Sequence, residues 1–403
     1  MVIDFNKYIN TTKFYDNSLH VKKEDYIHQD ILSLKQFEKA KFEISSWENY
    51  KPTNFYNLEN IAQKIDVSKV YYKDESSRFG LKSFKALGGA YAVVNLLINH
   101  LKELGINANS KDLINQKYLD ITKKITVTCA TDGNHGRSVA WGASVFGCNC
   151  EIFIHNHVSI TREKEIGKYG AIMHRVEGNY DDSVHEAARV ASEKGFFTVS
   201  DTSYEGYTEV PKDVMQGYTV MVDEALRQMD DKPTHVFLQG GVGGMAAAVV
   251  SFIHETYGED YPTFVMIEPN NADCLLQSAK NGKPTVVHGD LDTVMAGLSC
   301  GEVSLLAWAI LEHTTKGFFS IPDEPIAEVM KYLASLEEPV VAGESAVAGL
   351  AGFMITQFDE EYRKALNIDK NSKILFLGTE GDTDAQIYTD LVGKSSEEVL
   401  KKG

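Results

Sequence analysis

Val236-Phe237-Leu238-Gln239-Gly240-Gly241-Val242-Gly243-Gly244-Met245 reads as a buried strand, a glycine turn and the first turn of a helix. The apolar run is short and ends in glycines, which suits a strand entering a tight turn. A helix is expected to follow over 243–257, and its first-turn amides have no partner within the helix. Glycine amides and helix amides together suit a phosphate group. The loop lacks the Gly-Lys-Ser/Thr of a nucleotide P-loop and fits the dinucleotide spacing poorly. Taken alone, close helix–sheet packing accounts for these glycines equally well.

The same strand, loop and helix succession recurs on both sides of this stretch. Strands are expected at 70–73, 125–130, 151–155, 171–176, 197–200, 235–239, 264–268 and 373–378. Helices are expected at 84–104, 134–146, 161–169, 182–194, 206–229 and 243–257. Such alternation predicts an α/β fold, with mostly parallel sheets flanked by helices. Ligands in that architecture bind at loops leaving the carboxyl ends of strands. The first sixty residues read as loops and short helices, a wrapping arm. No internal repeat and no Pro- or Ser-rich linker is evident, so two lobes are expected to be intertwined.

The chain has 403 residues, 43% of them hydrophobic and 24% charged, a globular balance long enough for two lobes. Acidic residues outnumber basic ones by 57 to 40, a net charge of −17. That field repels phosphate backbones and anionic lipid surfaces, so neither nucleic acid nor membrane is an expected partner. No apolar run approaches the roughly 18 residues of a bilayer span, and the polar start, Met1 to Tyr15, does not read as a signal peptide. The five cysteines, Cys129, Cys148, Cys150, Cys274 and Cys300, are an odd and sparse set, which fits a reducing, cytoplasmic setting. No metal site is expected. Whether Cys274 and Cys300 meet is left open.

Chemistry concentrates at strand ends. Lys85 follows Ser83-Phe84 and precedes a Gly88-Gly89 pair at a helix start, where both the helix N-terminus and burial disfavour the ammonium form and favour a nucleophilic amine. The competing reading is a solvated lysine among Lys73, Lys82 and Lys85. Thr131-Asp132-Gly133-Asn134-His135 ends a buried strand, and its turn amides suit a carboxylate. Asp132 there suits an N-cap but would repel an anionic ligand. Taken alone, His135 reads as a packing residue. Asp201 and Thr379 sit at further strand-to-loop junctions, each also explained by ordinary capping.

Together these segments resemble the tryptophan-synthase β family, the fold-type-II pyridoxal-phosphate enzymes. Ser83-Phe84-Lys85 with Gly88-Gly89-Ala90 resembles the cofactor-lysine motif and Gly133-Asn134-His135-Gly136 the asparagine loop. Gly240–Gly244 resembles the phosphate loop, and Gly343-Glu344-Ser345-Ala346-Val347 a further family segment. Lys73–Leu81, Thr131–Arg137, Asp201–Tyr207 and Thr379–Asp384 are similar to the diaminopropionate ammonia-lyase branch, as are Ile267-Glu268-Pro269, Ala272-Asp273-Cys274 and Met295–Leu298. Gly244 departs from the branch, where alanine stands.

The resemblance implies pyridoxal 5′-phosphate as cofactor, attached at Lys85 beside Phe84. It implies that Asn134 bonds the ring hydroxyl and that the amides of Gly241, Val242, Gly243, Gly244 and Met245 hold the phosphate. Thr379 would sit near the pyridine nitrogen. Thr131, Asp132, Gly133, His135 and Asp201 would contact a small amino-acid substrate. The expected reaction is α,β-elimination of 2,3-diaminopropionate to pyruvate and two ammonia. Lys85 would be the base for the L-isomer and Asp132 for the D-isomer, with Asp132 and Asp201 pairing with the leaving β-ammonium group. A homodimer is implied, as is a discontinuous large domain, 1–110 with 206–403, around a small domain, 111–205. Open alternatives are a serine or threonine dehydratase, an amino-acid racemase and a non-catalytic amino-acid sensor.

Overall fold

The computed structural model describes residues 4–20, 28–131 and 133–401. Contacts divide the chain into two compact units: one comprises 1–34, 52–82 and 221–403, the other 35–51 and 83–220.

The first unit is built on a seven-stranded sheet in the order β1-β10-β9-β8-β11-β3-β2. Its strands are β1 (Lys13–Asp16), β2 (Asn54–Asn57), β3 (Lys69–Asp74), β8 (His235–Gln239), β9 (Thr263–Pro269), β10 (Thr315–Ile321) and β11 (Lys373–Gly378). β3, β11, β8, β9 and β10 run parallel, with Phe376 opposite Phe237 and Val236 opposite Phe264. Every residue of β8 is buried, which is why His-Val-Phe-Leu-Gln reads as one apolar run rather than an alternation. The edge strands β1 and β2 pair antiparallel and lie within the stretch expected to be irregular. Their central aromatic residues are half-buried and their ends exposed, so neither strand carries a long apolar signal.

The second unit holds a four-stranded parallel sheet in the order β6-β5-β4-β7. These are β4 (Thr126–Ala130), β5 (Asn149–His155), β6 (Ile172–Val176) and β7 (Phe197–Thr198). The helix Lys85–Glu103 belongs to this unit, although the sequence reading set the small domain at 111–205. Its glycines explain the placement. A Cβ on Gly142 of the helix Asn134–Phe146 would lie 2.8 Å from Ala90 Cα, and one on Gly217 of the helix Glu209–Gln228 would lie 2.2 Å from the Leu87 carbonyl oxygen. Backbones that close hold the first two helices and the first part of the third, up to residue 220, in one unit.

Each sheet gathers its loops at one edge. β8, β11 and β3 are neighbours, so the loops after Gln239, Gly378 and Asp74 leave the same edge of the first sheet. β4 and β7 are neighbours, so the loops after Ala130 and Thr198 leave together in the second. Cys129, Cys148, Cys150 and Cys274 are free thiols. Among the described residues no helix is long and apolar enough to cross a membrane.

Candidate active site

Lys85 is the first residue of its helix. Its carbonyl accepts a 2.6 Å bond from the Ser138 hydroxyl, and Gly89 is required there because a Cβ would lie 2.3 Å from that oxygen. The amine sits 5.5 Å from the Phe84 ring centre and 5.7 Å from that of Tyr218. It donates a short hydrogen bond to Asp201 Oδ2. Asp201 reaches it from the loop after β7, where the Tyr207 hydroxyl donates to the Thr198 carbonyl (2.9 Å) and accepts from the Ser200 amide (3.0 Å).

This pairing corrects the expected charge state. Burial does oppose the ammonium form of Lys85, but the Asp201 carboxylate outweighs it and holds the amine above the usual lysine range. Burial likewise pushes the Asp201 carboxyl up, and Lys85 with His135 overrides that and holds it well below the carboxylate range. The side chains of Lys85 and Asp201 keep 23% and 21% of their surface, so the pair is only partly covered.

The segment after β4 approaches this pair through His135, within the same unit. Thr131 Oγ1 accepts from the amides of Gly133 and Gly136, both at 3.2 Å. Gly136 is obligatory, since a Cβ would lie 2.0 Å from Thr131 Cγ2. Asn134 Oδ1 accepts from Arg137 at 2.7 Å. His135 is buried, its Nε2 lies 2.7 Å from the Val199 carbonyl, and its Nδ1 lies 3.8 Å from Asp201 Oδ2. Asp132 lies outside the described residues.

In the first unit, Gly243 takes φ +95°, a conformation open to glycine and costly for other residues, and the helix Gly244–Tyr257 starts beyond it without a side-chain cap. The amides of its opening turn are therefore free to serve a phosphate. A Cβ on Gly241 would lie 3.3 Å from Cys300 Sγ and 3.4 Å from the Gly297 carbonyl, so the loop is closed on that side. Val242 and Met245 complete the turn, with the Val242 carbonyl accepting from Ser304. Thr379 Oγ1 accepts 2.9 Å from Gln239 Nε2, which leaves its own proton to donate to a ring nitrogen. The segment at Gly343 packs on the same loop, with its amide donating to the Glu380 carbonyl (2.9 Å) and the Ser345 amide donating to Glu380 Oε1 (3.2 Å).

A feature missed in the sequence underlies the loop after β3. Lys73, grouped there with surface lysines, is fully buried and donates to Glu224 Oε2 (2.7 Å), the Thr53 carbonyl (2.9 Å) and Gln228 (2.8 Å). Arg78 forms a double bond pair to Glu224 (2.9 and 2.7 Å) and another to Glu75 (both 2.8 Å). This balanced, buried cluster fixes a loop in which Phe79 and Lys82 both adopt positive φ. The charges of the Lys73–Arg78 motif were the available signal; Glu224, far along the chain, gave none.

Each unit by itself carries groups that fit pyridoxal phosphate: an amine framed by aromatic rings in one, and a helix start without a side-chain cap in the other. The family model described as pyridoxal-phosphate dependent enzyme matches residues 47–380, and the chain belongs to that family. Within it, the chain is 37% identical over 358 residues to the diaminopropionate ammonia-lyase of Salmonella typhimurium, covering 85% of this chain and 88% of that one. The crystal structure of the holo Escherichia coli diaminopropionate ammonia lyase superposes with a TM-score of 0.86 at 34% identity, over 94% of this chain and 96% of that chain. A second structure of that enzyme, in complex with an aminoacrylate-PLP azomethine reaction intermediate, gives 0.83 at 33% identity, over 94% and 96%. The fold is that of the fold-type-II pyridoxal-phosphate enzymes, and the cofactor is pyridoxal 5′-phosphate.

Proposed function

We propose that this chain is a carbon–nitrogen lyase that eliminates ammonia from 2,3-diaminopropionate, giving pyruvate and a second ammonia. The observation that carries the reading is the Asp201 carboxylate on the Lys85 amine. A site that already holds a protonated amine against a carboxylate is suited to a substrate with a second ammonium group. A serine hydroxyl would leave such a carboxylate without a cationic partner.

When bound, the cofactor supplies an electron sink for the bond broken at Cα. Lys85 would hold the cofactor, and its amine takes the Cα proton of the L-isomer as general base. Asp201 keeps the β-amino group protonated until it departs. Asp132 is assigned from sequence as the base for the D-isomer and as a second anion for the leaving group. Asn134 binds the ring hydroxyl, Thr379 donates to the ring nitrogen, and the Gly241–Met245 amides hold the phosphate. The loop that carries Thr131, Gly133 and His135 is assigned from sequence to the substrate carboxylate. A cytoplasmic homodimer is the accompanying expectation.

The test is ammonia and pyruvate release from both diaminopropionate enantiomers beside serine and threonine. Diaminopropionate should dominate, and Asp132→Asn should depress D-isomer turnover far more than L-isomer turnover. Faster turnover of serine or threonine, or no pyruvate from diaminopropionate, overturns the reading.

A further inference from the structure

His135 is the residue whose chemistry the reaction scheme leaves unused. Its Nε2 faces the Val199 carbonyl at 2.7 Å, and a carbonyl only accepts, so Nε2 carries the ring proton. Nδ1 is then a bare acceptor. It is buried and has no hydrogen-bond partner among the described residues, a costly state for a ring nitrogen. The atom it faces, at 3.8 Å, is Asp201 Oδ2, the same oxygen that holds the Lys85 ammonium. Two lone-pair atoms facing each other in a buried site is an arrangement that one added proton resolves. The separation is outside hydrogen-bond range, but a sub-ångström shift closes it.

From this geometry we infer that His135, acting through Asp201, holds the proton that Lys85 must release before it can take up the cofactor aldehyde. The inference rests on Lys85 being the attachment point. One proton leaves the ammonium for Asp201 Oδ2 and moves on to His135 Nδ1, leaving a neutral amine. The nitrogen–carbon bond forms, one nitrogen proton passes to the aldehyde oxygen, and His135 returns the stored proton. That oxygen leaves as water, one proton stays on the nitrogen, and His135 is neutral again. No proton is gained or lost overall.

The surroundings leave no competing acceptor among the described residues. The titratable groups facing Asp201 are Lys85, His135, Cys129, Tyr207 and Tyr218. Burial pushes the Cys129 thiol and both phenols upward, so each already keeps its proton at neutral pH. Burial pushes the His135 imidazolium down, and the Lys85 charge pushes it further, while Asp201 opposes both. His135 therefore rests neutral beside the ammonium and gains affinity for a proton as that charge disappears. It is a positioning residue for proton movement rather than a group that touches the aldehyde.

His135→Gln is the informative variant, because its amide nitrogen can still donate to Val199 while nothing replaces Nδ1. The experiment strips the full chain of cofactor, adds pyridoxal 5′-phosphate and follows attachment by absorbance from neutral pH down to below the ordinary histidine range. The variant is expected to load roughly 100-fold more slowly, the scale of general-base assistance. It should also lose the wild-type pH inflection while reaching the same final occupancy, with borohydride label still at Lys85. Equal loading rates with the same pH dependence overturn the inference. No label at Lys85 in wild type overturns the functional reading as well. Should the variant fail to fold, nitrogen NMR of the histidine-labelled wild-type chain decides the matter. A protonated Nε2 with a bare Nδ1 at His135 is expected, and the opposite tautomer overturns the proposal.

Discussion

Replacing Gly217 with alanine should damage activity well beyond its effect on folding. The helices Lys85–Glu103 and Glu209–Gln228 touch at this point, where an added Cβ would lie 2.2 Å from the Leu87 carbonyl oxygen and 2.9 Å from Gly88 Cα. An ordinary carbon–oxygen contact is about 3.3 Å, so the helices must part by about 1 Å. Overpacking of this kind costs about 1–3 kcal/mol, offset slightly by the better helix propensity of alanine. Leu87 lies two positions after Lys85, so the displacement reaches the amine and its contact with Asp201. A misplacement near 1 Å is enough for about a 100-fold loss in a well-positioned reaction. The assay is kcat and KM for diaminopropionate together with a thermal melt. The expected outcome is kcat down by about two orders of magnitude, with a melting temperature lower by roughly 1–4 °C. Wild-type kcat in a folded Gly217→Ala chain refutes the reasoning, because the helix contact would then be irrelevant to Lys85.

Three further outcomes follow from the packing. Glu224→Gln leaves Lys73 and Arg78 buried without their shared carboxylate, a loss of about 3–5 kcal/mol, and the melting temperature should fall by roughly 4–6 °C. Asp74→Asn should stabilise the protein at neutral pH. Burial raises the Asp74 carboxyl to about 6, so its charged form costs stability as pH climbs from the ordinary carboxylate range through that value. The gain, at most about 3 kcal/mol, should fade below pH 4 in denaturant titrations. Tyr207→Phe removes the hydroxyl that ties the Thr198 carbonyl to the Ser200 amide, and should cost about 1–3 kcal/mol and lower kcat more than it changes KM.

The central strands were legible because burial on both faces leaves uninterrupted apolar runs. β8 and β11 fall where His235–Gln239 and Lys373–Gly378 place them. β10 was not legible, since Lys316 and Gly317 interrupt it and a register shift lies between Thr315 and Gly317. β1 and β2 are short edge strands whose polar ends read as loop. Lys85, Asn134 and the glycine loop were legible as helix openings, where the structure has them. The charge on Lys85 was not. Local signals at 83–90 argue for a neutral amine, and the group that reverses this, Asp201, lies 116 residues away. The Lys73–Glu224 pair, 151 residues apart, was hidden for the same reason. Charge state in a folded site belongs to contacts that no local window contains.

Borohydride reduction of the cofactor-loaded chain, followed by peptide mapping, tests the central claim most directly. The pyridoxyl mass should fall on the peptide bearing Lys85, and Lys85→Ala should take up none. A stable label on any other lysine, or an active enzyme without position 85, contradicts the account.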